Sequence, residues 1–139
     1  MSDGIFSIIG SSLNAQNMRM SAIASNLANA SSITKPGEQP YRAHEVVFQA
    51  APVAGDGGNG VDLGVQVAGV VQSNAPPTSK YDPGSPYANA QGYVTGSNVS
   101  PVEQMVDMID SSNSYSASVA LLQQASRIDQ QMIDSFQVT

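Results

Sequence analysis

The chain has 139 residues, a net charge of −6 and only five Lys and Arg residues. Because phosphate groups are bound by clustered cations, we expect neither nucleic acid nor an anionic membrane face among its partners. The absence of cysteine excludes disulfides and thiolate metal sites, and 6% of aromatic residues is too little for a large globular core.

The first thirty residues predict one helix over residues 4–30. Apolar residues, with a single glutamine among them, follow one another there at alternating steps of three and four: Phe6, Ile9, Leu13, Gln16, Met20, Ile23, Leu27 and Ala30. This spacing is typical of a helix that packs along a second helix. A helix lying on a membrane surface is the disfavoured alternative, because the polar side lacks the Lys and Arg residues that such helices carry.

The sequence carries neither of two membrane signals. No apolar run approaches the ~20 residues that cross a bilayer. The N-terminal region also lacks the basic segment and the uninterrupted apolar segment of a signal peptide. If the protein leaves the cytoplasm, we therefore expect a route other than general secretion.

Residues 33–98 contain every glycine except Gly4 and Gly10 and every proline except Pro101. Alternating and β-branched residues predict strands at 41–50 and 61–71, joined as a β-hairpin across a glycine-rich connector. The prolines between residues 76 and 86 predict an extended segment without a regular ladder. A short strand is predicted at 91–94.

The second helix is predicted by Ser100-Pro101-Val102-Glu103, a capping box with proline at the first helical position. Apolar residues then keep helical spacing almost to the end of the chain. The serine-rich tract Ser111–Ser118 weakens the pattern, because serine is a poor residue inside a helix, but we expect the helix to continue through it.

These elements predict a mainly α fold with a β insert. Antiparallel N- and C-terminal helices form a coiled coil, and the Gly/Pro-rich middle segment contains the hairpin. The predicted divisions are an N-terminal helix at 1–32, the insert at 33–98 and a C-terminal helix at 99–139. One seam between two helices leaves both flanks uncovered, so neighbouring copies or partners are expected to supply further packing.

Four motifs resemble the bacterial flagellar rod and hook protein family: ASNLANA (24–30), QPYRAHEVVFQA (39–50), YDPGSPYANAQGYV (81–94) and NVSPVEQMVDMIDSSNSYSAS (98–118). The resemblance covers nearly the whole chain in order. It implies a structural subunit of the proximal rod, without enzymatic activity or cofactor, that transmits torque. It further implies that the terminal helices line the axial tube and that the middle segment forms an outer layer.

The resemblance also implies partners and a location. The partners would be further copies, adjacent proximal and distal rod proteins, a basal-body adaptor and the flagellar type III export apparatus, with no small-molecule substrate. The chain would be exported unfolded, without a cleaved signal peptide, and would assemble in the periplasm.

The expected contact residues fall into two groups. Contacts between subunits are expected at Phe6, Ile9, Leu13, Met20, Ile23, Asn26, Leu27, Asn29, Val102, Val106, Ile109, Tyr115, Val119, Leu122, Ile128 and Met132. Contacts of the insert are expected at Tyr41, Arg42, Phe48 and Tyr93.

Two other classes of function stay open at this point. Glu103, Asp107 and Asp110 share one helix face, and paired carboxylates could hydrolyse glycans of the peptidoglycan layer. The better interpretation is that acidic residues in the first turns complement the helix dipole. The second alternative is a helical binding module that self-associates as a closed four-helix dimer.

Two further motifs are interpreted as structural. His44 is the only histidine, and with no cysteine or second histidine to act with it, a structural role is expected. The segment 57–62 matches one copy of the GGxGxD calcium repeat, but a single copy lacks the stacked neighbours that share the ion, so a flexible hairpin tip is expected.

Overall fold

The computed structural model describes residues 2–52 and 63–137, and in that part of the chain five strands lie between two long helices in sequence. In chain order the elements are α1 (Ser2–Asn29), β1 (Ile33–Thr34), β2 (His44–Pro52), β3 (Leu63–Gln72), β4 (Thr78–Tyr81), β5 (Tyr93–Gly96) and α2 (Pro101–Gln137). The prediction of two helices with strands between them is confirmed.

Helices α1 and α2 lie side by side and run in opposite directions. Among the described residues three polar side-chain contacts join them: Asn26 with Gln104 at 2.8 Å, Arg19 with Asp107 at 3.6 Å, and Ser12 with Ser118 at 3.4 Å. As the residue number falls along α1 it rises along α2, which fixes the antiparallel direction.

The α2 side of this contact combines small and polar residues with only part of the predicted apolar series. Ten described positions of α2 are buried or half-buried, and all but Asp107, Val119 and Asp129 follow one another at steps of four and three: Gln104, Met108, Ser111, Tyr115, Ser118, Leu122 and Ala125. The expectation that the whole apolar series of α2 covers α1 is wrong, since Val102, Val106 and Ile109 are 72%, 53% and 60% exposed. These three lie on the opposite side of α2 because the contacts of Gln104 and Asp107 with α1 set its rotation.

Helix α2 is continuous through Ser111–Ser118, as predicted. The hydroxyls of Ser116 and Ser118 donate to the carbonyls one turn earlier, at 2.9 and 3.0 Å, so they are satisfied inside the helix. At the start of the helix the Glu103 N–H donates to Ser100 Oγ at 3.4 Å, which is the first half of the predicted capping box.

The β2–β3 hairpin packs on the side of α1 that α2 leaves free. Its antiparallel pairing is confirmed, although β2 starts at His44 rather than at residue 41. The Val65 N–H donates to Ser11 Oγ of α1 at 3.0 Å, and Ala15 is 3% exposed where helix and hairpin meet. The register shifts by one residue between Val47 and Phe48, which is a β-bulge.

A second, smaller sheet has the order β1-β5-β4 and is antiparallel throughout. The prediction that the proline-rich segment lacks a ladder is wrong at Thr78–Tyr81, which pairs with β5. These four residues lie between the prolines and keep all their N–H groups, so they are able to pair. The predicted strand at 91–94 begins two residues later, at Tyr93, because Gly92 is in a turn with φ of +83°.

Candidate assembly surface and the contacts that position it

Asn26 connects α1, α2 and β2 through one buried amide. Its side chain is 1% exposed, and its Nδ2 donates to the His44 carbonyl at 2.9 Å and to Gln104 Oε1 at 2.8 Å. Its Oδ1 accepts from the His44 N–H at 2.8 Å and from the Tyr41 hydroxyl at 3.1 Å. Both donors and both lone pairs of the amide are therefore used within this chain.

The backbone of His44 determines which way the Asn26 amide faces. A backbone N–H only donates and a carbonyl only accepts, so Oδ1 must face the N–H and Nδ2 the carbonyl. The Tyr41 hydroxyl then donates to Oδ1 at 3.1 Å, and the His44 Nδ1 lies 2.9 Å from the same hydroxyl. We call Asn26, Tyr41, His44 and Gln104 the Asn26 cluster.

Every predicted contact residue of α1 is buried or half-buried in the single chain. Ile9, Ile23 and Asn26 are buried, and half-buried positions are Phe6, Leu13, Met20, Leu27 and Asn29. Asn29 donates to the Ser25 carbonyl of its own helix at 2.9 Å. Within the chain the Asn26 amide uses both its donors and both its lone pairs, and the expected contacts of Asn26 and Asn29 with neighbouring subunits stay a prediction.

The predicted contact residues of α2 divide between two sides of the helix. Tyr115, Val119 and Leu122 are half-buried near α1, whereas the rest are exposed: Val102, Val106, Ile109, Ile128 and Met132. Of the insert residues, Tyr41 belongs to the Asn26 cluster and Phe48 is half-buried. Arg42 is exposed, and Tyr93 stacks edge-on with Tyr81 at 5.2 Å between ring centres.

Two exposed apolar patches result on α2. We define the N-terminal patch as Val102, Met105, Val106 and Ile109, which are 53–72% exposed, and the C-terminal patch as Leu121, Ile128 and Met132, which are 46–61% exposed. Large apolar side chains gathered in this way mark surfaces that bind other proteins. Such an arrangement can bind another apolar surface.

The carboxylates considered for glycan hydrolysis do not converge. Asp107 pairs with Arg19 and lines a cleft of about 380 Å³ between α1, α2 and β2, but Glu103 and Asp110 do not line it. Within residues 2–52 and 63–137 no group of three or more His, Asp or Glu side chains could hold a metal ion. The GGxGxD match at 57–62 lies outside the described residues.

Sequence relatives decide between the functions left open. Residues 90–135 match the family described as "Flagellar basal body rod FlgEFG protein C-terminal". The flagellar basal-body rod protein FlgC of Escherichia coli O6:H1 is 51% identical over 120 residues, which is 85% of each chain. The chain belongs to the FlgC family. FlgC proteins of Salmonella typhimurium and Borreliella burgdorferi are 49% and 35% identical, over 85% and 86% of this chain.

Family membership makes this chain a structural subunit of the flagellar basal-body rod, which assembles with other rod and basal-body proteins. The glycan hydrolase and the closed binding module have no support among FlgC relatives, which carry the name of a rod protein. Neither α1 nor α2, as far as their residues are described, is long and apolar enough to cross a bilayer.

Three residues on the α2 side of the helix contact, Gln104, Ser111 and Ser118, were not predicted. They recur at steps of seven, which is the signal of a close helix contact made by small and polar residues. This seven-residue spacing is present in the sequence, but it is a weaker helix-packing signal than the apolar residues of the same helix.

Proposed function

We propose that this rod subunit builds the rod wall by contacts between helices of neighbouring copies, with α1 and α2 paired as a coiled coil. The alternating steps of four and three on the buried side of α2 support the coiled coil. The observation that carries the proposal is the N-terminal patch of α2, four large apolar side chains at least half exposed on the side away from α1.

The energetics favour covering this surface. Fully burying one Val, Ile or Met side chain contributes about 1.5–3 kcal/mol, so a neighbour that covers the N-terminal patch gains several kcal/mol. The ion pair between α1 and α2, Arg19 with Asp107, adds little to this, because its side chains are 35% and 43% exposed and such pairs contribute about 0–1 kcal/mol.

The small core supports export of the chain in an unfolded form. Among the described residues only six hydrophobic side chains are buried: Ile9, Ala15, Ile23, Ala43, Val94 and Val99. A chain with so little buried apolar surface is unfolded at low cost, as passage through the flagellar type III apparatus without a cleaved signal peptide requires. Assembly then takes place in the periplasm, where the helices line the axial channel and the strands form the outer layer.

The proposal assigns the chain no enzymatic activity and no cofactor. Its partners are further copies, the rod proteins above and below, the basal-body adaptor and the export apparatus. Its mechanical task is to transmit torque along the rod, which the repeated helix contacts make possible.

Complementation tests the proposal. A bacterial strain that lacks its own FlgC-family subunit receives this chain, Val106→Asp, or Gln123→Asp, and motility and the yield of complete basal bodies are measured. Both substitutions add one negative charge at an exposed position of α2, but only Val106 belongs to a patch. We expect the unchanged chain and Gln123→Asp to restore motility and Val106→Asp to abolish it. Full motility with Val106→Asp contradicts the proposal.

A further inference from the structure

The Tyr41 hydroxyl lies at the centre of the Asn26 cluster and contacts three polar side-chain atoms. Asn26 Oδ1 is 3.1 Å from it, Ser25 Oγ is 3.1 Å from it, and His44 Nδ1 is 2.9 Å from it. The rings of Tyr41 and His44 meet edge-on, with 5.3 Å between their centres and 86° between their planes. A hydroxyl has one hydrogen to donate, so two of the three neighbours must donate to it.

The backbone of His44 fixes the direction of the bond between Tyr41 and Asn26. Oδ1 of Asn26 faces the His44 N–H at 2.8 Å, and an amide oxygen accepts hydrogen bonds but donates none. The Tyr41 hydroxyl must therefore point its hydrogen at Oδ1, because the alternative sets two lone pairs face to face beside a side chain that is 1% exposed. The single hydrogen of Tyr41 is used in this bond.

The two remaining contacts of the Tyr41 oxygen then have one direction each. The Ser25 hydroxyl donates to it, and His44 Nδ1 must carry a hydrogen in order to donate as well. In a neutral imidazole the second nitrogen, Nε2, is then without hydrogen. Within residues 2–52 and 63–137 the His44 Nε2 makes no hydrogen bond, so a proton can add there without displacing a partner.

We propose that His44 carries a hydrogen on Nδ1 whether its ring is neutral or protonated, so that Asn26 holds the hairpin on α1 in both states. Protonation adds the second hydrogen at Nε2 and breaks none of the bonds of the Asn26 cluster. His44 lines a cleft whose other charged residues come from the three elements around it: Arg19 of α1, Glu45 of β2 and Asp107 of α2. The only histidine of the chain is therefore part of a pH-tolerant joint and not of a pH switch.

Nuclear magnetic resonance of the full chain tests the position of the hydrogen, and the single histidine leaves one ring to observe. The chain carries isotopically labelled histidine and is purified without a histidine tag. Long-range couplings distinguish the nitrogens, because both carbon-bound ring hydrogens couple strongly to Nε2 and only one couples strongly to Nδ1. With the ring neutral we expect the hydrogen on Nδ1. A hydrogen on Nε2 would overturn the proposal.

Acidification of the same sample tests the second half of the proposal. As His44 takes up its second proton, the side-chain amide signals of Asn26 should persist, since all four bonds of this amide are kept. Replacement of these signals by those of a free amide, in step with protonation of His44, would show a pH switch instead.

Two variants test whether the Tyr41 hydroxyl is the positioning group. Tyr41→Phe removes this hydroxyl and should give a mixture of both neutral forms of His44, whereas Ser25→Ala, the matched control, should leave the hydrogen on Nδ1. A hydrogen on Nδ1 alone in Tyr41→Phe would contradict the role given to Tyr41. If Tyr41→Phe does not fold, the two measurements on the unchanged chain decide. None of these outcomes depends on assembly, so the proposed function is tested separately.

Discussion

The Asn26 Nδ2 and the Gln104 Oε1 meet at 2.8 Å between α1 and α2, where the Asn26 side chain is 1% exposed. The same amide pairs with both backbone groups of His44, so one side chain fixes the hairpin on α1 and α2 beside it. Rotation of α2 about its own axis is set by this contact and by the Arg19–Asp107 pair. That rotation turns the N-terminal patch away from α1.

Replacing Asn26 by alanine should destabilise the chain. The substitution leaves the His44 N–H and carbonyl without their partner, and a buried polar group left unpaired costs about 1–3 kcal/mol. We expect a loss of about 2–4 kcal/mol in the free energy of unfolding, measured by urea denaturation. Asn29→Ala, which removes one bond to the carbonyl of Ser25, is the control and should cost less than about 1 kcal/mol. Equal losses for the two variants would contradict the role given to Asn26.

Replacing Ser111 by alanine should stabilise the pair of helices. Ser111 is 0% exposed, and its hydroxyl oxygen is buried without a hydrogen-bond partner. Removal of an unsatisfied buried hydroxyl recovers about 1 kcal/mol or more. The control is Ser112→Ala at the adjacent exposed position, which reports only the higher helix propensity of alanine, up to about 0.5 kcal/mol. Thermal unfolding followed by circular dichroism should show the larger rise in Tm for Ser111→Ala. A smaller rise than for Ser112→Ala would refute the assignment of an unsatisfied buried hydroxyl at Ser111.

Gly92→Ala and Gly10→Ala should change the free energy of unfolding in opposite directions. Gly92 has φ of +83°, and a Cβ there would lie 2.9 Å from the Tyr81 ring. Gly92→Ala should therefore lower the free energy of unfolding by more than about 1 kcal/mol. Gly10 lies inside α1, where an added Cβ meets nothing within 4 Å, so Gly10→Ala should raise it by about 0.5–1 kcal/mol. Urea denaturation of both variants checks the signs, and destabilisation by Gly10→Ala would show that this side of α1 is covered.

The order and kind of the main elements could be predicted from the sequence because local signals define them. Helical spacing, the capping box at Ser100 and two alternating apolar runs predicted both helices and the hairpin. Strand β4 was not predicted, because the prolines on both sides of it indicate an extended segment without pairing. The four residues between them retain their N–H groups and pair with β5. Strand β1 has two residues, which is too short for any periodic signal.

The rotation of α2 could not be predicted from its apolar residues. Val106 and Leu122 both keep helical spacing with other apolar positions, but one faces away from α1 and the other lies near it. The spacing of apolar residues shows which side chains are to be buried. It does not show whether they are buried against the same chain or against another copy. The deciding contact joins Asn26 to Gln104, which lie 78 residues apart in sequence.

The proposed function requires that the N-terminal patch of α2 is exposed to solvent in the single chain and covered by a neighbour in the rod. Alkylation of a single cysteine tests it most directly, because the natural chain has none. Met105→Cys is compared between free chain and intact basal bodies, with Ile23→Cys, at a position 4% exposed in the single chain, as the control that should stay unreactive in both. We predict rapid labelling of Met105→Cys in the free chain and at least tenfold slower labelling in basal bodies. Equally rapid labelling in both states would contradict the claim.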